Sequence, residues 1–440
     1  MTSQAVDRDA ASSVRVALLG CGNVGSALAE LLLTRQDDIA ARTGIHLELV
    51  GIAVSDAKRA RPASIPGELF VTDGAALAVR DDVDVVVELV GGLHPAQEFM
   101  EAALRAGKPV VTANKAVLAV AGAELAEMAA AHGVDLLYEA AVAGAIPVIR
   151  PLRESLAGEQ IVRVMGIVNG TTNFILTRME EDGVDFDDAL AEAQRLGLAE
   201  RDPTADVEGH DAAAKAAILA ALAFGCDVVD ADVHREGITG IRAADVAYAN
   251  RLGYSVKLLA VAELVDGGPE LSVRVHPAMV PKAHPLASVR GAFNAVFVEG
   301  AVSGELMLYG RGAGGGPTAS AVLGDLVDAA RNLRTGAPAP APKRTSITVL
   351  PQPELRSAFY LSMDVADRPG VLAAVAKVFG DHKVSIRSME QVGLADEARL
   401  IFLTHEAREG DLLATIDELR LLQAVDRVSG VLRVIGEEEG

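Results

Sequence analysis

Two lysines and two carboxylates combine charged side chains with turn chemistry in otherwise apolar settings, the residue types that proton transfer and the binding of charged groups use. In GLAERDPTADVEGHDAAAK at 197–215, Lys215 follows Asp211 by four residues, so on a helix the pair shares one face, and Glu200 opens the polar turn Glu200-Arg201-Asp202-Pro203 ahead of them. Such a lysine can hold and return a proton, and the carboxylates can grip an ammonium group. The plain alternative is a solvated i,i+4 pair worth about 0.2–0.5 kcal/mol. Lys115 closes Thr112-Ala113-Asn114-Lys115 at the end of an apolar run, where open α/β sheets place their ligands; alone it reads equally as a surface lysine at a helix start.

A third constellation handles phosphate. Gly20-x-Gly22-x-x-Gly25 follows the apolar run Val14–Leu19 directly and opens an amphipathic stretch through Leu33. At a strand-to-helix turn, Gly20 allows the tight bend, Gly22 lets backbone approach a pyrophosphate and Gly25 lets the helix pack on the strand. With Asn23 and Val24, these residues put helix amides toward an anion. The acid that would accept ribose hydroxyls is missing at Ala53-Val54-Ser55; Asp56 comes late and Lys58, Arg59 and Arg61 follow. That favours a 2′-phosphate, hence NADP over NAD, unless the cations belong to a solvated loop.

The elements that must carry these residues alternate. Strand-like runs at 46–54, 83–91, 108–114 and 134–140 are separated by Ala-rich helical stretches such as 96–106 and 123–132, which predicts a doubly wound parallel sheet of the Rossmann type over 14–145. From 146 to 315 the strands Ile161–Val168, Leu271–Val280, Ala292–Glu299 and Glu305–Tyr309 mix with helices 186–196 and 211–224, an α+β domain. Val168-Asn169-Gly170-Thr171-Thr172-Asn173 reads as a strand end and helix cap, and GRGAGGGPTA at 310–319 either caps a helix or brings backbone to a ligand. A helix over 316–335 returns to the first domain, and the Pro-rich 336–354 is an expected connector. Residues 355–440 run strand, helix, strand, strand, helix, strand, the βαββαβ order of a ferredoxin-like sandwich.

Composition narrows the class further. The 440 residues carry 61 acidic against 40 basic side chains, a formal charge of −21, which repels nucleic acid and anionic membranes. No apolar run approaches the roughly 20 residues of a membrane span, and residues 1–13 are a polar tail expected to be disordered rather than a leader. Cys21 and Cys226 form neither a disulfide framework nor a thiolate metal site. A cytoplasmic protein is expected.

Taken together, GCGNVG (20–25), TANK (112–115), YEAAVAGAIP (138–147), VNGTTNFIL (168–176), GLAERDPTADVEGHDAAAK (197–215) and GRGAGGGPTA (310–319) closely resemble homoserine dehydrogenases over residues 14 to about 335. The tail from 358, with Asp367-Arg368-Pro369-Gly370 at its first turn, looks like an ACT domain. The resemblance implies NAD(P)-dependent interconversion of L-homoserine and L-aspartate 4-semialdehyde in threonine and methionine biosynthesis. It assigns Lys215 as proton donor and acceptor, Lys115 beside the nicotinamide and the reacting oxygen, and Glu200 and Asp211 to the substrate. It places Gly91, Gly197 and Gly315 with the glycine loop at the cofactor. Glu139 with the carbonyls of Val142, Gly144 and Ile146 would hold a structural sodium or other monovalent cation. Asp367, Arg368, Pro369 and Gly370 would bind an effector, threonine as end product, and a homodimer or homotetramer is implied. Two departures stand out: Gly92 where a Ser or Thr is frequent, and Val384-Ser385-Ile386 in place of an Asn-containing strand. The rivals are an aspartate-semialdehyde dehydrogenase-like enzyme, which needs a nucleophilic cysteine, and a non-catalytic NADP-binding amino-acid sensor, which has no use for the lysines and carboxylates.

Overall fold

The computed structural model describes residues 13–59, 61–338, 345–394 and 397–436, and the chain divides into two compact units. The first takes residues 1–157 and 311–344. Its strands β1 (Val14–Leu19), β2 (Leu47–Ala53), β3 (Phe70–Val71), β4 (Val85–Glu88), β5 (Val110–Thr112) and β6 (Leu136–Leu137) form one sheet in the order β3-β2-β1-β4-β5-β6. All its pairings are parallel. Helices α1 (Asn23–Thr34), α2 (Gln36–Thr43), α3 (Gly74–Val79), α4 (Ala96–Arg105) and α5 (Lys115–His132) make the crossovers. Because β1 and β4 are covered on both faces, β1 from Val16 and β4 up to Val87 read as continuous apolar runs rather than as an alternation. The expected returning helix spans Gly315–Thr335, and its Ala319, Val322, Leu326, Ala329 and Ala330 enter the same core as Val16, Leu18 and Leu28.

The second unit holds residues 158–310 and 345–440. Strand β7 (Ile161–Ile167) leads to α6 (Gly170–Asp182), α7 (Phe186–Arg195), α8 (Thr204–Val207) and α9 (His210–Phe224). Then follow β8 (His234–Arg235), α10 (Ala243–Arg251), β9 (Tyr254–Leu264), β10 (Glu270–Pro281), β11 (Phe293–Gly300) and β12 (Gly304–Arg311). The sheet runs β12-β11-β7-β9-β10 and continues through Val425–Val434, Arg356–Ala366, Glu397–Thr404 and Ile386–Leu394, the four strands of the ferredoxin-like tail. The join is parallel, Ala278 opposite Arg433 and Met279 opposite Val434.

Three features differ from the sequence reading. Strand β9, between β7 and β10, went unread because nine of its residues in a row are buried, which removes the period-2 signal. Helix α10 was unread as well. Of the expected connector, 339–344 lies outside the described residues, as does the tail 1–12, whereas Thr345 bonds to the Gly225 carbonyl and Thr348–Val349 pairs with β10. The end of that segment is therefore a bound edge, not a free spacer.

The sheet fixes the first turn of α6 through a buried lysine. Lys257 of β9, 1% exposed, donates to the Val289 carbonyl (2.6 Å) and Asn173 Oδ1 (3.2 Å), while Asn173 Nδ2 donates to the carbonyls of Val289, Gly291 and Phe293. No carboxylate hydrogen-bonds this ammonium, and burial pushes its pKa from 10.5 down to about 8. The folded chain therefore releases this proton near pH 8 and the unfolded chain near 10.5. Between those values the unfolded state binds more protons, so stability rises with pH. We expect the stability of the protein relative to a Lys257→Met variant to rise by about 2–3 kcal/mol between pH 7.5 and 10 in urea titrations. A pH-independent difference would refute the assignment.

Candidate active site

Lys215 and Asp211 lie on the buried face of α9, each 9% exposed, so the solvated-pair reading does not hold. The helix is rich in alanine there, which lets it lie close to the sheet; the lysine then reaches the strand end of β7. Its Nζ donates to Asp211 Oδ2 (2.8 Å) and to the Val168 carbonyl (2.7 Å). That uses two of the three ammonium donors and leaves one for an alcohol oxygen. Asn169 is the hinge of the arrangement: its Nδ2 donates to Asp211 Oδ2 (2.9 Å) and Asp206 Oδ1 (2.7 Å), while its Oδ1 accepts from the Thr172 amide (2.9 Å) and caps α6. The sequence showed the cap, but not its second bond to the carboxylates. Gly209, at φ +81, turns the chain into α9.

Glu200 is exposed on the turn after α7 and takes no part in the hydrogen bonds of Lys215; its carbonyl accepts from Gln194 (3.1 Å). Gly197, at φ +72, lies in the turn after the same helix, which gives it a local structural reason.

In the first unit, the glycine loop has the geometry its sequence requires. A Cβ at Gly20, whose φ is +99, would meet the Leu89 carbonyl oxygen at 2.5 Å, and one at Gly25 would meet the Gly20 oxygen at 2.3 Å. Gly22 faces open space, with nothing within 4 Å of an added Cβ. It is the N-cap of α1, with no side chain capping the amides of Asn23, Val24 and Gly25. A free helix N-terminus behind an open glycine fits a dinucleotide's pyrophosphate. Gly315 joins this surface, since its Cβ would lie 2.8 Å from the Asn23 carbonyl oxygen.

Beside it, Glu88 is fully buried at the end of β4, a charge in an otherwise apolar strand that sequence reasoning passed over. It accepts from the amides of Val90 (2.7 Å) and Gly91 (3.2 Å) and from Thr112 Oγ1 (2.7 Å). Asn114 Nδ2 holds the Gly92 carbonyl at 2.8 Å and its Oδ1 caps α5, so the loop of Gly91 (φ +80) and Gly92 (φ +72) and the first turn bearing Lys115 are tied together. After β2, Lys58 and Arg59 are exposed, but Arg61 is not free to swing. It donates to the carbonyls of Asp56 (2.8 Å) and Arg59 (3.0 Å), stacks over Phe70 at 4.8 Å, and keeps a buried Nε without a hydrogen-bond partner.

Both thiols are held toward the protonated form. Burial pushes Cys21 up, against the pull of Arg61, and burial with Asp227 pushes Cys226 up to about 11. Glu139 is buried, and its carboxylate accepts from the amides of Val148 (2.6 Å), Ile149 (2.8 Å) and Arg150 (2.9 Å), while its own amide donates to Asp325 (2.8 Å). The carboxylate is thus largely engaged, and Ala143 (φ +56) and Gly144 (φ +59) bend the loop that bears the Val142, Gly144 and Ile146 carbonyls. Among the described residues no cluster of three His, Cys, Asp or Glu side chains could hold a metal, so carbonyl oxygens would have to dominate any cation site here. The Asp367–Gly370 turn is exposed; Asp367 accepts from Gln391 (3.3 Å) and Gly370, at φ +93, starts the helix Val371–Asp381. No helix among the described residues is long and apolar enough to cross a membrane.

Comparison with known proteins identifies the family. Residues 20–139 match the homoserine dehydrogenase NAD-binding domain, 147–327 the homoserine dehydrogenase catalytic domain and 359–420 the ACT domain. The homoserine dehydrogenase of Corynebacterium glutamicum is 52% identical over 427 residues, 96% of each chain. The crystal structure of a homoserine dehydrogenase from Thiobacillus denitrificans superposes with a TM-score of 0.91 at 40% identity, covering 96% of this chain and 98% of that one. A hyperthermophilic archaeal homoserine dehydrogenase mutant, solved in complex with NADPH, aligns with 73% of this chain and 98% of its own at 29% identity and a TM-score of 0.61. With a Rossmann sheet that takes a nicotinamide cofactor, a catalytic unit built on a mixed sheet and a C-terminal ACT domain, the chain belongs to the homoserine dehydrogenase family of oxidoreductases.

Proposed function

We propose that the chain oxidises L-homoserine to L-aspartate 4-semialdehyde, and runs the reverse, with Lys215 as the acid/base group and NADP as the preferred cofactor. The observation that carries the proposal is the buried Lys215, held by Asp211 and the Val168 carbonyl with one donor left over. In the oxidative direction Lys215, as the free amine, takes the proton of the side-chain hydroxyl; in the reverse its ammonium returns it. Asp211 holds the lysine in place, and its carboxylate and that of Glu200 bind the amino-acid part of the substrate. Lys115, at the first turn of α5, faces the reacting oxygen. The bound nicotinamide supplies the hydride chemistry.

The glycine loop with Asn23 and Val24, the Gly91 loop, Gly315 and, from the turn after α7, Gly197 are the proposed cofactor contacts. Arg61 is the proposed 2′-phosphate partner: its buried unsatisfied Nε, a cationic face and the missing acid after β2 all support it. The archaeal relative's NADPH complex points the same way. A monovalent cation is proposed at the Val142, Gly144 and Ile146 carbonyls beside Glu139, in a structural role. Edge strand β12 exposes Leu306, Met307 and Tyr309, which supports a homodimer through this sheet, with a tetramer as the larger option. Threonine, the end product of the branch, is the proposed effector of the ACT domain in a cytoplasmic biosynthetic enzyme.

Two measurements test the core of this reading. Lys215→Ala should lower kcat by about 10²–10⁴-fold while dinucleotide affinity, read by fluorescence quenching, stays unchanged; near-normal turnover with an unaltered pH profile would refute the role. Purified enzyme with L-homoserine should reduce NADP faster than NAD, and Arg61→Ala should raise KM for NADP by about tenfold or more with little change for NAD. A variant with an unchanged cofactor ratio would remove Arg61 from the site.

A further inference from the structure

We propose that Asn169 is a positioning residue for proton transfer: its amide nitrogen holds Asp206 and Asp211 together behind Lys215, so that the lysine keeps one orientation whether or not it carries the proton. The inference rests on the reading of Lys215 as the acid/base group and adds to it the residue that keeps that group in place.

The orientation of the Asn169 amide is forced. The side chain is 5% exposed, and Oδ1 accepts from the Thr172 amide (2.9 Å), with the Thr172 hydroxyl also in reach (3.1 Å). An amide N–H only donates, so the oxygen faces Thr172 and the nitrogen faces the carboxylates. Its two hydrogens go one each to Asp206 Oδ1 (2.7 Å) and Asp211 Oδ2 (2.9 Å). Asp, Ser or Thr would serve the α6 cap as well. What the amide adds is a pair of donors, and both are spent on carboxylates of other elements, Asp206 on α8 and Asp211 on α9. The corner that carries it is fixed by packing, since a Cβ on Gly170 would lie 2.8 Å from the Ala292 carbonyl oxygen.

Asp211 Oδ2 is the shared atom: it accepts from Asn169 and from Lys215 Nζ (2.8 Å). As an ammonium, Lys215 has three donors; as the free amine that takes the alcohol proton it has two, and a lone pair. Two fixed acceptors, Asp211 Oδ2 and the Val168 carbonyl, then occupy both hydrogens and turn the lone pair to the third direction. That works only while Asp211 stays in place. On deprotonation of the lysine the carboxylate loses its countercharge, and two carboxylates that meet at one nitrogen repel each other. The Asn169 bonds are unchanged by that step, because the amide does not titrate. They hold Asp211 through the half of the cycle in which the lysine holds it least.

The test uses the full chain. Asn169→Asp keeps an oxygen for the Thr172 amide and removes both donors. It should lower kcat for L-homoserine oxidation by about 10–10²-fold, with the melting temperature within about 3 °C of the native value and dinucleotide affinity unchanged. Asn169→Ser, which caps without adding charge and is the variant to use if Asn169→Asp folds poorly, should lose kcat in the same direction, by about fivefold or more. In a Lys215→Ala background either substitution should cost less than about twofold further, since a residue that acts through the lysine has nothing left to place. An equal loss in both backgrounds, or a loss that follows the melting temperature, makes Asn169 a structural cap and overturns the proposal, as does native kcat in both single variants. Near-native turnover of Lys215→Ala would instead remove the acid/base reading itself, and this proposal with it.

Discussion

A buried ammonium must keep its hydrogen bonds and its countercharge, and in the second unit that requirement organises everything around α9. Lys215 can sit 9% exposed only because β7 ends at Ile167, leaving the Val168 carbonyl unpaired by the sheet, and because Asp211 lies one turn earlier on the same face. The alanines at 212–214 and 216–217 follow from this: larger side chains would lift the helix off the strand and pull the lysine from its acceptor. Asn169 then serves two masters, capping α6 with its oxygen and linking Asp211 to Asp206 with its nitrogen. A change at any of these positions would be felt as a displaced ammonium.

The same economy of polar contacts governs the junction with the ACT domain. Among the described residues two ladder pairs join β10 to Val425–Val434, and beside them Arg433 is bidentate to Glu409 (2.7 and 2.6 Å) and reaches Glu236, while Arg274 of β10 donates to Glu409, Ser357 (both 2.8 Å) and Glu263 (2.7 Å). Burial pushes Glu236 up, yet the hydrogen bonds from His234 and Arg433 outweigh it and hold the carboxyl well below the usual range. Burial, with Arg433 and Arg274 beside it, drives His276 well below the usual imidazole range. Buried ion pairs of this kind add little net stability over an apolar filling, but they tolerate no sliding of one element past another. The junction thus fixes the register of the ACT strands against β10.

How much of this was legible beforehand depended on whether a residue's role was local. The glycine loop, the TANK turn and the Asp211–Lys215 spacing are contiguous, and each carries its reason within a few residues. The Rossmann strands announced themselves as apolar runs between turns. Strand β9 did not, because burial on both faces erases alternation. Glu88 was visible as a lone charge in VVVELV, but its partners, Thr112 and the Gly91 amide, meet it only after β4 and β5 pair. Asp245, buried on α10, gave no sign at all: its partners Tyr360 and Ser362 lie more than a hundred residues away, in another domain of the sequence.

The two buried lysines of this unit show why residue type alone could not separate chemistry from architecture. Lys257 donates to an amide oxygen and the Val289 carbonyl, and Asn173 beside it is fastened to that carbonyl and to those of Gly291 and Phe293, so neither can move without disturbing the first turn of α6. Its charge has no carboxylate in contact, and burial lowers its pKa accordingly. Lys215 has a carboxylate partner, and that carboxylate is bonded onward through Asn169 to Asp206. Each lysine donates to one backbone carbonyl and one side chain; the carboxylate beside Lys215, absent from the bonds of Lys257, is what separates an acid/base candidate from an architectural group.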